Sequence, residues 1–231
     1  MNRRQLLYGF LAAAWEGDAQ EPAPGSLYIP KPQRVEDKKL LMDFMDEFAF
    51  VDLVTATPEI RVTHLPVFVD HTGTEYGTVF GHISRHNPQT NAIAAGQPAV
   101  IVFRGPHSYI SPTWYAGHEV VPTWNFAVLH ATGTLRPETD AKATHDLLAR
   151  LIRKFEGKAS AYDFSKLPES FTNSLISGVL GFRMEIQTLE GKFKLGQERS
   201  EADKQSVLRH LHDANQGPSM YEFTESFYRR G

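Results

Sequence analysis

One stretch of this chain combines aromatic rings with hydrogen-bonding groups at close spacing. It reads Gly105-Pro106-His107-Ser108-Tyr109-Ile110-Ser111-Pro112-Thr113-Trp114-Tyr115, and Thr123-Trp124-Asn125-Phe126 follows. Two of the three tryptophans of the protein lie here. A flat heterocyclic ligand needs aromatic faces beside a few placed polar groups, whereas a packing core uses aliphatic side chains. The stretch therefore predicts one wall of a ligand site, although each tryptophan alone also fits a core or interface position.

Three further clusters carry polar side chains that suit a phosphate-bearing ligand. They are Thr63-His64-Leu65-Pro66, Gly81-His82-Ile83-Ser84-Arg85-His86-Asn87-Pro88-Gln89, and Glu190-Gly191-Lys192-Phe193-Lys194. Arg85 offers a bidentate fork for phosphate, and Asn87 or Gln89 can add amide donors. Lys192 and Lys194 alternate along a predicted strand, so both point to one face, which favours an anion or a solvated surface there. The alternatives are an ordinary surface cation at Arg85 and a solvated edge at the lysines.

Several common chemistries are excluded or disfavoured by what the chain lacks. It contains no cysteine, which excludes disulfides, thiolate metal sites and a cysteine nucleophile. No glycine-rich dinucleotide or phosphate loop, no His-Glu-x-x-His and no Gly-x-Ser-x-Gly occurs. His82 and His86 are four residues apart, but a strand end separates them by ~13 Å, too far for one ion. We therefore expect no metal site.

The charge balance argues against direct contact with DNA. The 231 residues carry a formal net charge of −3, and the isoelectric point is about 6.4. A nucleic-acid binder usually has a basic excess or a basic stripe, which this sequence lacks. No apolar run approaches the ~20 residues of a membrane span. Arg3 and Arg4 precede a short apolar run at residues 6–14, so twin-arginine export is the minor alternative to a cytoplasmic location.

The elements that must position these clusters are strands with helices inserted between them. One-sided apolar spacing predicts helices at 35–48 and 138–157. The break at Asn87-Pro88 could start a short helix that runs to residue 95, and a capping box at Ser200 predicts a further helix. Runs rich in β-branched residues predict strands at 50–57, 60–69, 78–84, 120–135, 179–188 and 191–195. The apolar run 99–103 predicts a strand buried on both faces. This order favours an α+β fold, an antiparallel β-barrel with peripheral helices.

Together the clusters resemble the PaiB family of FMN-binding negative transcriptional regulators. The matching stretches, in the family's order over residues 27–212, are Leu27-Tyr28-Ile29-Pro30, Thr63-His64-Leu65-Pro66, Gly81-His82 with Arg85 and Asn87-Pro88-Gln89, Phe103 with Gly105-Pro106-His107 and Tyr109-Ile110-Ser111-Pro112, Trp114-Tyr115, Val121-Pro122-Thr123-Trp124-Asn125-Phe126, and Leu189-Glu190-Gly191-Lys192 with Lys194-Leu195. The resemblance implies a split β-barrel, as in pyridoxamine-phosphate oxidases and flavin reductases. It also implies a homodimer with FMN at the subunit interface.

The resemblance also assigns candidate cofactor-binding residues. Arg85, with Lys192 or Lys194, would balance the phosphate charge. The ribityl chain or the ring edge would be bonded by Thr63, His64, Asn87 and Asn125, and Trp124 or Trp114 would supply an apolar face. His82, Gln89 and Gln197 complete the set of candidates. Where the family usually has Ser and Asn, this chain has Gly196 and Glu198, and Glu198 would oppose a phosphate bound at that turn.

This interpretation divides the chain into an N-terminal extension at 1–26, an FMN-binding domain at 27–214 and a C-terminal tail at 215–231. The tail's aromatic residues suggest that it docks on a surface that the sequence does not identify. The resulting hypothesis is a homodimeric FMN-binding regulator that does not contact DNA directly. The first alternative is an FMN-dependent oxidoreductase acting on a small molecule, with His107, Tyr109 and His118 lining the substrate side. A weaker alternative is a haem-binding or haem-degrading split barrel.

Overall fold

The computed structural model describes residues 27–117, 120–157, 159–213 and 218–230, and within them eight strands form one antiparallel sheet. The strands are β1 (Arg34–Val35), β2 (Phe50–Thr55), β3 (Arg61–Pro66), β4 (Phe68–Asp70), β5 (Thr78–Ser84), β6 (Pro98–Ile110), β7 (Thr123–Glu138) and β8 (Val179–Lys194). Their order is β3-β2-β6-β7-β8-β5-β4, and β1 pairs with one end of β8. The extension at 1–26 and His118 lie outside the described residues.

The sheet curls into a barrel, so that strands from its two ends meet across the core. A side chain at Gly81 of β5 would come within 3.1 Å of the Leu65 side chain of β3. The long strands bend where their register shifts, between Arg104 and His107 on β6 and between Thr132 and Gly133 on β7. Such irregularities increase strand twist and help a sheet to close. The predicted antiparallel barrel with peripheral helices is confirmed.

Burial alternates along the strands with a period of two residues. On β6, Ile101 and Phe103 are fully buried, whereas Val100 and Val102 between them are only half-buried. The prediction that 99–103 is buried on both faces is therefore wrong. The outward side of β6 remains partly open to solvent in the single chain, so only the inward residues reach the core.

Six helices pack around the barrel in the described part of the chain. They are α1 (Lys38–Glu47), α2 (Thr90–Ala94), α3 (Ala141–Glu156), α4 (Glu169–Ser177), α5 (Glu201–Asp213) and α6 (Pro218–Arg230). Side-chain caps begin three of them: Asp37 accepts from Leu40 N at 3.1 Å, Asp140 from Ala143 N at 3.0 Å, and Ser200 from Asp203 N at 3.2 Å. None of these helices is both long and apolar enough to cross a membrane.

In two of the parts that differ from the predicted elements, tertiary contacts override the local pattern. The run 60–69 divides into β3 and β4 at Val67, whose N–H donates to the Ala49 carbonyl at 2.8 Å. Part of the predicted tail forms α6. This helix places Phe223 5.2 Å from the Phe193 ring, and the Tyr228 hydroxyl donates to the Leu195 carbonyl at 2.6 Å.

Asp70 joins the end of β4 to α3 and should make stability pH-dependent. Its carboxylate accepts from the Thr72 hydroxyl at 2.6 Å and from Arg150 at 2.8 Å. These hydrogen bonds, with Thr72 first, lower the pKa of Asp70 from 3.8 to about 2. Because the folded-state pKa is depressed, the stabilisation is complete above pH ~4 and is lost as the pH falls towards ~2.

We expect Asp70→Asn to destabilise the protein by about 1 kcal/mol at pH 7, less than the full shift implies because the carboxyl is partly exposed. Urea unfolding of both proteins between pH 7 and pH 2 measures this difference, which should vanish at the acid end. Asp43→Asn, which breaks an exposed Lys39 pair within α1, is the control and should cost less. A difference that stays constant across the pH range would contradict the ion-pair explanation.

Candidate cofactor site

Side chains that point away from the core on β2, β3, β6, β7 and β8 form one continuous surface, the outer face. The strand register aligns one row across it, consisting of His64, Asp52, Val102, His130 and Glu190. Each of these side chains is half-buried or exposed. The outer face is therefore an accessible surface with charged, aromatic and aliphatic groups, unlike the aliphatic and aromatic interior.

A carboxylate on the outer face holds a histidine and an arginine together. Asp52 Oδ1 lies in a short hydrogen bond with His64 Nδ1 and also accepts from Arg104 Nη2 at 3.1 Å. Asp52 Oδ2 is 3.0 Å from Arg104 Nε. The Asp52 side chain is only 14% exposed, whereas those of His64 and Arg104 are 58% and 61% exposed. The half-buried carboxylate thus presents two polar groups towards solvent.

Two lysines on β8 place positive charge on the same face. Lys192 Nζ donates to the Tyr28 carbonyl at 3.1 Å and lies 5.5 Å from the centre of the Phe126 ring. Lys194 Nζ donates to the Thr123 hydroxyl at 2.6 Å. Burial, and then the charge of Lys194, lower the pKa of Lys192. The neighbouring positive charges oppose each other, so a bound anion would be favourable here.

Aromatic rings border the lysines. Trp124 is 48% exposed, and its indole N–H donates to His107 Nδ1 at 3.2 Å. The Tyr109 ring is centred 6.1 Å from that of Trp124. Trp114 is different, because it stacks on His210 of α5 at 5.1 Å with an interplanar angle of 10°. Trp124 is therefore the tryptophan whose position on the outer face suits a flat ligand.

A side-chain hydrogen-bond network connects β3 to the segment before α2. It consists of Thr63, Asn87 and Gln89. Asn87 Nδ2 donates to the Thr63 hydroxyl at 2.8 Å, and that hydroxyl donates to Gln89 Oε1 at 2.6 Å. The buried Gln89 amide also donates to the Leu53 carbonyl at 3.1 Å and to the Thr55 hydroxyl at 3.0 Å. The Gln89 amide is thus occupied inside the protein, and it holds Thr63, whose side chain lies on the opposite side of β3 from that of His64.

The remaining predicted residues lie away from the outer face or at its far end. Asn125 is 2% exposed and points inward, opposite to Trp124. Gln197 closes a turn, accepting from Leu195 N at 2.8 Å. Burial lowers the pKa of His82, and its Nδ1 atom is buried without a partner among the described residues. Arg85 is exposed, and no ion pair holds its guanidinium within the described part of the chain.

The structure separates the predicted phosphate-binding residues into two groups at opposite ends of β8. Arg85 N donates to the Gly178 carbonyl at 3.0 Å, just before β8 begins. Lys192 lies near the other end of that strand, about 40 Å away along the strand path. Within one chain, the length of β8 therefore lies between Arg85 and the lysines.

Asp52 and Arg104 were missed by the sequence analysis. The available signal was the carboxylate itself, because aspartate is depleted in strands and Asp52 lies in the middle of β2, between Val51 and Leu53. Its partners could not be inferred, since Arg104 is 52 positions away in the sequence. Among the described residues, no group of three or more histidine, aspartate or glutamate side chains is arranged to hold a metal ion.

Solved structures with the same fold bind flavin and haem. A protein from Mycobacterium smegmatis, described as an FAD and heme binding protein, aligns with a TM-score of 0.56 and 15% identity, covering 81% of this chain and 82% of that one. The flavocytochrome Anf3 from Azotobacter vinelandii aligns with a TM-score of 0.53 and 12% identity, covering 81% and 77%. At these identities the likeness shows a shared split-barrel fold.

Sequence relatives cover nearly the whole domain. The "Protease synthase and sporulation protein PAI 2" of Bacillus subtilis (strain 168) is 28% identical over 200 residues, which is 86% of this chain and 95% of that protein. An uncharacterized protein of Emericella nidulans is 28% identical over 187 residues, 65% of this chain and 74% of that protein. The family described as "Putative FMN-binding domain" matches residues 27–188. This chain therefore belongs to the PaiB-like FMN-binding family, and FMN is its cofactor.

Proposed function

We propose that this protein is a homodimer that holds FMN between its outer faces and acts as a regulator through that flavin. The separation of Arg85 from Lys192 and Lys194 carries the proposal. A two-fold axis can place one end of a subunit's surface against the other end of its partner's surface. Arg85 of one subunit and the two lysines of the other could then bind the same phosphate. Each dimer would then contain two equivalent sites.

The residues of the outer face fit the chemical parts of FMN. The lysine pair, whose mutual repulsion an anion would relieve, suits the phosphate. Trp124 and Tyr109, both partly exposed, offer apolar surface to the ring system. Bound FMN supplies one- and two-electron redox chemistry, whereas these side chains bind and orient it.

Apolar side chains on the outer face support pairing of two copies. Val100, Val102 and Val128 are half-buried there, and the edge residues Phe50 and Val62 are 62% and 51% exposed. Single exposed apolar residues are ordinary, but a contiguous apolar area ringed by charges is typical of an interface. The net charge of −3 supports a regulatory effect without direct DNA contact.

A second candidate is an FMN-dependent oxidoreductase. His107 and Tyr109 are exposed beside Trp124, so they could contact a small molecule next to the flavin. The third predicted substrate-side residue, His118, is outside the described residues. Haem binding rests on the shared fold alone, and no contact on the outer face favours it.

The absorption spectrum and the solution mass of the purified protein test the proposal together. We expect flavin absorption bands, or their appearance with quenched protein fluorescence when FMN is added, and a mass twice that of the 26.0 kDa chain. A monomer that leaves added FMN unbound would overturn the proposal. Flavin turnover with NADH or NADPH and an added acceptor would favour the oxidoreductase.

Removing a phosphate-binding cation should weaken FMN but not riboflavin, which lacks the phosphate. Lys192→Met keeps most of the apolar side chain and should raise the FMN dissociation constant about 10- to 100-fold, because a charge-assisted hydrogen bond contributes ~1.5–3 kcal/mol. Arg85→Ala should act similarly. Lys142→Met, on α3, is the control. Equal losses for FMN and riboflavin, measured by fluorescence titration, would show that Lys192 does not bind the phosphate.

A charge placed among the outer-face valines should separate the subunits. We expect Val100→Glu to give a monomer by light scattering, because the carboxylate would be buried unpaired on association. Phe171→Glu changes an apolar residue of α4 that is 52% exposed and should remain dimeric. A Val100→Glu dimer as tight as the parent would place the interface elsewhere.

A further inference from the structure

The cluster formed by His64, Asp52 and Arg104 has a defined hydrogen-bonding polarity. An ionised carboxylate only accepts hydrogen bonds, so the short contact with Asp52 requires a proton on His64 Nδ1. A neutral imidazole protonated at Nδ1 has a free acceptor at Nε2. His64 is 58% exposed, so this acceptor is available to a ligand on the outer face.

Arg104 supplies the complementary donors. Two of its five N–H groups point to Asp52, from Nε at 3.0 Å to Oδ2 and from Nη2 at 3.1 Å to Oδ1. The other three have no partner among the residues that the structure describes and remain for a ligand, and the side chain is 61% exposed. The arrangement differs from an ordinary surface ion pair. One carboxylate, only 14% exposed, holds both the acceptor of His64 and the donors of Arg104 in place.

An acceptor beside donors matches an imide edge, in which one N–H lies between two carbonyl groups. The pyrimidine ring of flavin has such an edge, with N3–H between the C2 and C4 carbonyls. We propose that the His64–Asp52–Arg104 cluster recognises this edge, with His64 Nε2 accepting from N3–H and Arg104 donating to an adjacent carbonyl oxygen. Asp52 is then a positioning residue, since it acts through the other two side chains.

This inference rests on the proposed FMN site and extends it. It gives the two outer-face clusters different tasks, with the lysines assigned to phosphate and the Asp52 cluster to the ring. It also predicts a ligand preference that charge alone would not produce, because methylation at N3 leaves the flavin's charge unchanged but removes the donor. Comparing the two flavins therefore separates the contribution of the N3–H hydrogen bond to binding from that of electrostatic attraction.

Binding of FMN and of its N3-methyl analogue, measured by fluorescence titration, tests the assignment. The parent protein should prefer FMN about 10-fold, as expected for loss of one buried hydrogen bond. His64→Phe should abolish the preference. Asp52→Asn should reduce it, because an amide can donate to Nδ1 and so favour the opposite tautomer. Asp70→Asn also breaks an Asp–Arg pair, but one that does not involve the cluster, and should keep the preference.

Imidazole ¹⁵N shifts of the flavin-free protein give a second readout that does not depend on FMN. We expect His64 protonated at Nδ1 when neutral, and a change of tautomer in Asp52→Asn. Equal binding of the two flavins by a parent protein that binds FMN would overturn the inference alone. Failure to bind FMN would overturn both proposals. Uridine monophosphate has the same imide edge, and its binding as tightly as FMN would assign the cluster to a nucleobase instead.

Discussion

The antiparallel register of β6, β7 and β8 is the constraint on which the rest of the structure depends. Since side chains alternate along a strand, a register shift of one residue would exchange the two faces. In the observed register Phe193 is fully buried while Lys192 and Lys194 point outward, and Asn125 is buried while Trp124 is exposed. Burial of large apolar side chains on one face thus determines which polar groups the other face presents.

How far the sequence could predict the site depended on the range of the interactions. The shared face of Lys192 and Lys194 followed from strand periodicity alone, and the pairing of β8 with β7 agrees with it. Gln89 was a candidate ligand residue because amides suit such sites. Its occupation inside the protein depends on the Leu53 carbonyl, 36 positions away. A local sequence pattern cannot predict a contact between residues so far apart in the chain. The contact between Asp52 and Arg104 was unpredictable for the same reason.

The turn at Gly196 and Glu198, where the chain departs from the usual family residues, packs against the C-terminal part of the protein. Gly196 has a positive φ of 81°, which favours glycine, and the turn is held by α6 through the Tyr228 hydroxyl. Burial is the main cause that raises the pKa of Tyr115 and Tyr228, and the charge of Glu198 adds to it. Glu198 therefore acts on two tyrosines, Tyr115 between β6 and β7 and Tyr228 on α6 itself.

The stacking of Trp114 on α5 has a consequence for the order in which the molecule is completed. The segment between β6 and β7 is held by that ring contact and by Asp203, which accepts from Ala116 N at 3.0 Å. Both partners come from residues that are synthesised long after the barrel strands on either side of the segment. A nascent chain made only as far as Lys194 therefore contains every described strand of the sheet but lacks the groups that fix the segment between β6 and β7.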